Sequence, residues 1–323
     1  MSTIERAARA AGPTRSVPWR TDARLSGILF LCAGAFVFSL QDIVIKWISG
    51  TYPITQVLTI RCIVAIGPLL LILAWDGGFG GLRTRRLGLQ ILRGGCLFLS
   101  YTAYYLAIAA LPLAEAVALF YSAPLFILAL SVPLLGERVG PRQWLAVLVG
   151  FLGMLVVCRP GIGMFEPAAL FSMASAFVYA VGQVLARDLG RTERASVMTF
   201  YHNLVNLTAA SAIGLLAGSG TYARFAHPSL QFLLRGWVAP GLRDLLIMAA
   251  TGLIAAFGSW CLTNAYRVTA ANVVAPFEYS AILWATSWGF LVWGERPAAV
   301  VLLGIAMIVA AGLYVLRAAP ARA

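Results

Sequence analysis

The stretch YSAPLFILALSVPLLGER at residues 121–138 returns in kind as YSAILWATSWGFLVWGER at residues 279–296. Tyr121-Ser122 matches Tyr279-Ser280, Gly136-Glu137-Arg138 matches Gly294-Glu295-Arg296, and the apolar runs between them have equal length. One offset serves both pairs (279 − 121 = 158 and 294 − 136 = 158), so two separate motifs recur in register without a gap. Chance explains this poorly and internal duplication explains it well. Further matches flank the pair. Ala35-Phe36-Val37 answers Ala176-Phe177-Val178 at an offset of 141, which also carries Lys46 onto Arg187, while Val57 and Thr59 answer Val197 and Thr199 at an offset of 140.

Composition says what the duplicated unit is made of. Of 323 residues 61% are hydrophobic and 11% charged, with a mean hydropathy of +0.86, more apolar surface than a soluble core absorbs. Lipid must cover the remainder. A net charge of +12 and a pI near 10.0 would suit a nucleic-acid binder, but the arginines fall between apolar runs and form no basic, aromatic-interleaved face. They read instead as a topology signal. Cys32, Cys62, Cys96, Cys158 and Cys261 lie within or at the ends of apolar runs without zinc or Cys-x-x-Cys spacing, and read as small packing residues.

A transmembrane helix needs about 20 mostly apolar residues. Ten runs meet or approach that length: 26–47, 54–75, 90–110, 113–134, 143–159, 168–187, 197–217, 243–265, 271–292 and 298–316. Connections as short as Leu111-Pro112-Leu113 make neighbouring helices antiparallel hairpins. With the N-terminus inside, the cytoplasmic segments hold 17 Lys and Arg, Arg93 counted among them, against 6 outside and Arg61 within a helix. That asymmetry puts both termini in the cytoplasm. The expected architecture is an all-α integral membrane protein of ten transmembrane helices arranged as two inverted five-helix repeats. Its parts are a cytoplasmic tail (1–25), a first repeat (26–160), a second repeat (168–317) and a short cytoplasmic C-terminal tail (318–323). An odd number of spans inverts the second copy, the plan of many secondary transporters. The segment from Gly218 to Leu242 is read as lying on the membrane surface.

Several of these residues resemble a known family. The Leu135-Gly136-Glu137 end of the fourth helix and its echo Trp293-Gly294-Glu295, Gly150 and Gly153 in the fifth helix, and Arg159-Pro160-Gly161 after it are similar to the EamA family of the drug/metabolite transporter superfamily. The resemblance covers about residues 26 to 317. It implies transport of a small organic molecule across the inner membrane. Members carry amino acids and derivatives, opine-type metallophores, riboflavin and other metabolites, many of them as exporters.

Ionisable groups inside a bilayer are costly and are functional candidates by default. Asp42, Glu115 and Glu278 are the acids within the apolar runs. Asp42 lies about 7.5 Å from the outer end of its helix and Arg61 about 10 Å from the outer end of the next, a depth that permits an ion pair. Lys46 competes for Asp42 at i,i+4. The alternative is that Arg61, with Gln41 near it, faces the cavity and attracts a substrate carboxylate. Glu278, two residues after Pro276, is the candidate for proton coupling, with a hydrogen-bonded packing role as the alternative. Glu115 reads as a helix N-terminal cap.

Tyr121 and Tyr279 fall near the membrane middle, where a hydroxyl needs a partner and a ring can stack on cargo. Tyr101, Tyr104 and Tyr105, with Trp260 and Asn264, would complete an aromatic cavity, or else pack the core. His202 and Asn206 share a helix face with Asn203 beside them, either as interhelical hydrogen bonds or as a proton shuttle. Glu137-Arg138 and Glu295-Arg296 read as stabilisers of tight turns, and Gly150, Gly153 and Gly304 as points of close helix approach.

The pattern predicts a secondary transporter working by alternating access. No Walker-type Gly-x-x-x-x-Gly-Lys-Ser/Thr stretch occurs, so ATP is not the expected driver. No cofactor and no metal are called for, and the expected partners are a small-molecule substrate and the lipid bilayer rather than nucleic acid. By the resemblance, the cargo is an amino-acid-like compound or opine-type metallophore moving outward, with riboflavin uptake second. An integral-membrane transferase ranks lower, because the loops are short and poor in paired carboxylates or histidines.

Overall fold

Long apolar runs satisfy their own backbone polar groups in lipid only as helices or closed barrels. The structure, a computed structural model, describes residues 23–48, 51–110, 116, 119–158, 167–221, 228–293 and 299–318, and these contain helices, turns and loops with no strand among them. The helices are α1 (Ala23–Ile48), α2 (Ile54–Trp75), α3 (Leu87–Ala110), α4 (Ala123–Leu135), α5 (Pro141–Cys158) and α6 (Pro167–Leu189). They continue as α7 (Ala195–Ala217), the short α8 (Pro228–Leu234), α9 (Leu242–Val268), the four-residue α10 (Ala271–Val274), α11 (Ser280–Trp293) and α12 (Ala299–Ala318). Stretches long and apolar enough to cross a membrane occur at Ala23–Gln41, Ile54–Trp75, Ala168–Leu189 and Leu242–Val268, with shorter apolar helices at Ala123–Leu135, Pro141–Val156 and Ala299–Tyr314.

The helices pack as specific pairs. α1 lies along α9, α3 along α6, α5 along α12, and α2 against both α7 and α9. Small residues let these pairs close. A Cβ on Gly153 would sit 2.8 Å from the carbonyl oxygen of Gly304, so the α5–α12 contact requires glycine there. Thr59 and Thr199, matched by the repeat, make the same bond, each hydroxyl donating to the carbonyl four residues back (Thr55 and Ala195), both at 2.8 Å.

The recurrent motif is a helix end. Gly136 terminates α4 in the left-handed conformation (φ 67°), its N–H turned back onto the carbonyls of Ser131 and Val132. The chain then presents Glu137, whose two carboxylate oxygens accept the backbone N–H groups of Ala271 and Asn272, both at 3.1 Å. Arg187 of α6 approaches the same carboxylate at 3.6 Å. Glu137 is therefore a helix-end stabiliser for α10, as its place in the turn suggests. Glu295-Arg296, Glu115, Arg159-Pro160-Gly161 and the side chain of Lys46 lie outside the described residues.

Two expectations change. The run 271–292 is not one helix: α10 passes into a 3-10 segment, Ala275–Tyr279, before α11 starts at Ser280. Pro276, which lacks an N–H, sits at the start of that segment. Arg93 is not an interfacial cytoplasmic residue. α3 begins at Leu87 rather than at residue 90, and Arg93 is drawn inside the bundle, 2% exposed, where carbonyl and hydroxyl acceptors from two neighbouring helices receive it. The described part of the Gly218–Leu242 segment folds onto the bundle. Phe232 of α8 packs with Ile54, Leu58 and Tyr105, Ser229 donates to the carbonyl of Leu106 at 2.6 Å, and Gln56 exchanges two bonds with the backbone of Val238.

Candidate functional site

The 3-10 segment delivers Glu278 to the bundle interior. Its Oε1 accepts two phenolic hydroxyls, from Tyr266 of α9 at 2.6 Å and from Tyr179 of α6 at 3.0 Å. Both tyrosines are buried, at 0% and 4% exposure, and both pack in the same core cluster as Leu31, Ile127 and Val274. Glu278 itself is half-buried. With two charge-assisted donors and no ion pair among the described residues, the carboxylate can change protonation without abandoning a cation.

A second group of polar side chains is cationic. Arg61 of α2 is 4% exposed, and its guanidinium carbon lies 5.8 Å from the centroid of the Tyr101 ring on α3, within cation–π range. His202 of α7 stacks near the same ring, centroids 6.1 Å apart and planes 24° apart. Asn206, one turn along, approaches His202 Nε2 at 2.7 Å through Nδ2. Arg93 completes the group: its Nη1 donates to the carbonyl of Met198 at 3.2 Å and its Nη2 to Thr263 Oγ1 at 3.0 Å. Tyr101 packs against two separate core clusters, and so bridges the first-helix and second-helix sides of the interior.

Aromatic rings connect these groups. Phe120 touches Tyr104 (centroids 4.8 Å), Tyr179 (5.4 Å) and Tyr121 (6.0 Å), and Tyr121 reaches Tyr279 at 6.1 Å. Tyr279 is fully buried, against Met154, Ile282 and Ile308, with its ring pressed on Gly150.

The structure thus brings Arg61, Tyr101, His202 and Asn206 together in one neighbourhood, and Tyr121, Tyr279 and Glu278 in another. Other candidates take different places. Tyr105 is 7% exposed in the apolar cluster with Phe98 and Phe232. Asn203 donates to the Cys62 carbonyl at 3.0 Å and ties α7 to α2. Trp260 packs edge-on against Phe30 of α1, and Asn264 donates back to the Trp260 carbonyl at 3.3 Å within α9. Gln41 is buried on α1, its Oε1 without a partner among the described residues. The side chain of Asp42 lies outside the described residues, so the structure offers no geometry for an Asp42–Arg61 pair.

The sequence reading missed Tyr179, Tyr266, Phe120 and Arg93. Arg93 carried a signal, a charge inside an apolar run; the tyrosines and Phe120 are distinguished only by what they meet across the bundle. Among the described residues no group of three His, Cys, Asp or Glu side chains could hold a metal ion.

Comparison with known proteins bears on what such an interior does. The EamA-like transporter family matches residues 25–159. That match spans α1 through α5. The family name was expected from the turn and glycine motifs, and the match falls on the half that contains Tyr121 and Glu137. Relatives of the chain include a pseudopaline exporter, CntI, of Pseudomonas aeruginosa, 28% identical over 92% of this chain and 98% of that one. A riboflavin transporter of Rhizobium johnstonii is 28% identical over 98% and 97%, and an S-adenosylmethionine uptake transporter of Rickettsia prowazekii is 23% identical over 90% and 92%. A crystal structure shares the fold, with a TM-score of 0.74 over 91% of this chain and 98% of its own at 20% identity. The family and these relatives are named as transporters, not as enzymes.

Proposed function

We propose that this EamA protein is a secondary transporter that moves a small organic metabolite across the inner membrane by alternating access, with Glu278 as its proton-coupling group. The observation that carries the reading is the carboxylate of Glu278 on a broken helix, solvated by Tyr266 and Tyr179 from two different helices at 2.6 and 3.0 Å. Broken helices with polar groups at mid-bundle are the usual seats of substrate and coupling ion in transporters built from repeats. Protonation would remove the charge that the two hydroxyls solvate. The 3-10 segment would then be held less firmly against α6 and α9, which ties proton loading to helix movement.

The proposal includes ten spans in two inverted five-helix repeats, with both termini cytoplasmic. Helix pairing supports it. If the first five spans correspond in order to the second five, then α1·α9 and α3·α6 exchange with each other, while α2·α7 and α5·α12 map onto themselves. Packing that survives the exchange is what a duplicated, inverted unit would give.

For cargo, an amino-acid-like compound or opine-type metallophore, carried outward, is supported by the pseudopaline exporter among the relatives and by the buried arginines. Riboflavin uptake is the second reading, supported by the riboflavin transporter among them. The test is metabolite profiling of cells and medium with the gene deleted, restored, and restored as Glu278→Gln. Export predicts a compound that accumulates in deleted cells and returns to the medium on restoration, but not with Glu278→Gln. A compound left in the medium by deleted cells supports uptake instead. Identical profiles in all strains count against transport.

A further inference from the structure

Among the described residues, two arginines in the interior have no acidic partner. The ion pairs among the described residues, Arg86 with Asp188 and Arg187 with Glu137, lie at the bundle end where α6 terminates. Neither involves Arg61 or Arg93. Arg61 is 4% exposed and leaves Nε and Nη1 without hydrogen-bond partners among the described residues; Arg93 is 2% exposed and leaves Nε so. Arg93 has neutral acceptors, Met198 O and Thr263 Oγ1, which orient the guanidinium without cancelling its charge. Buried guanidinium groups that lack a counter-anion oppose folding, and persist when an anion is to be received.

The two side chains serve one place. Arg61 lies over the Tyr101 ring and His202 stacks on it, while Arg93 donates to the carbonyl of Met198, one turn before His202 on α7. The Oδ1 of Asn206, also buried without a partner among the described residues, adds an unused polar atom beside His202.

We propose that Arg61 and Arg93, flanking Tyr101 and His202, seat a carboxylate of the transported molecule. This rests on the transporter reading and narrows its cargo to organic acids, amino acids included. A guanidinium offers planar paired donors that match a carboxylate, and the aromatic face beneath Arg61 keeps it from turning away. Arg93, bonded to α7 through Met198 and to α9 through Thr263, makes occupancy felt by three helices at once. Charge balance at the two arginines then comes from the cargo, and Glu278 remains available for the proton.

The test uses the full-length protein purified in detergent and follows its thermal unfolding with free amino acids, their matching carboxamides, sodium chloride and sodium phosphate as probes. At least one acid should stabilise the wild type where its carboxamide does not, with apparent affinity lowered about tenfold or more in Arg93→Met and Arg61→Met and less in Arg93→Lys. Without any probe, Arg93→Met should unfold at the same or a higher temperature, because it removes a buried charge that has no counter-anion among the described residues. No preference for acid over amide overturns the proposal, as does equal stabilisation by chloride or phosphate, which would mark a resident inorganic anion. An exported compound without a carboxylate, found by the metabolite comparison, also overturns it and leaves the transporter reading intact. Identical metabolite profiles remove the transporter reading itself.

Discussion

Tyr121 and Tyr279, the two tyrosines of the duplicated motif, meet with their rings 6.1 Å apart at an interplanar angle of 45°. Residues 158 positions apart in sequence are thus neighbours (279 − 121), and the two occurrences of the Tyr-Ser motif touch through their rings. Both tyrosines precede a helix start: α4 begins at Ala123 and α11 at Ser280. What recurs is a break in the helix with an aromatic ring at the break.

Glu278→Gln should abolish the response of transport to a pH gradient while leaving the fold in place, since the amide keeps the shape and an acceptor for Tyr266 and Tyr179. Tyr266→Phe removes one bond to a charged group, worth about 1.5–3 kcal/mol, and should lower transport about ten- to a hundredfold. Proteoliposomes loaded with a pH-sensitive dye provide the readout. Gradient-dependent transport by Glu278→Gln would exclude this carboxylate from coupling.

Gly150→Ala should destabilise the protein by about 1–3 kcal/mol, because there is no room for the added methyl group. A Cβ there would stand 2.7 Å from Tyr279 Cδ2, and the Tyr279 ring is fully buried. Thermal unfolding in detergent measures the loss. Pairing the change with Tyr279→Leu should recover part of it, whereas additive losses would show that the two positions do not share a contact.

Glu137→Ala strips the cap from Ala271 and Asn272 and should cost about 0.5–2 kcal/mol. The damage should be local, with faster amide exchange at the start of α10. Unchanged exchange there would contradict the capping role.

With Arg93 moved into the interior, the expected basic bias is 16 against 6 (17 − 1 = 16), still strongly one-sided. A fluorescent-protein fusion after residue 323 should therefore mature in the cytoplasm, and an alkaline phosphatase fusion at the same point should stay inactive. Active phosphatase would reverse the proposed topology.

Much of the helix pattern was legible because lipid imposes length and apolarity on each run, and a local property can be read locally. Helix ends were legible where chemistry is local too, as at Gly136 with its positive φ. The site was less so. Glu278 could be singled out as an acid in an apolar run, but Tyr179 and Tyr266 look like ordinary aromatic residues until α6 and α9 bring them to the same oxygen. Arg93 sits near a helix start, where a charge normally reaches for water; only the packing of α3 against α6 and α7 carries it inward. The break after Val274 needed the same information. Pro276 announced a disturbance, but one proline does not say whether a helix kinks or changes to a 3-10 turn.

The central claim, a transporter of small organic molecules, is tested most directly by reconstitution. Purified protein in proteoliposomes would be offered a bacterial metabolite extract under an imposed pH gradient, and the contents compared by mass spectrometry with those of protein-free liposomes. Enrichment of one or a few compounds, lost when the gradient is collapsed, is the predicted result. Vesicle contents indistinguishable from those of empty liposomes, with the protein shown to be folded in the membrane, would contradict it.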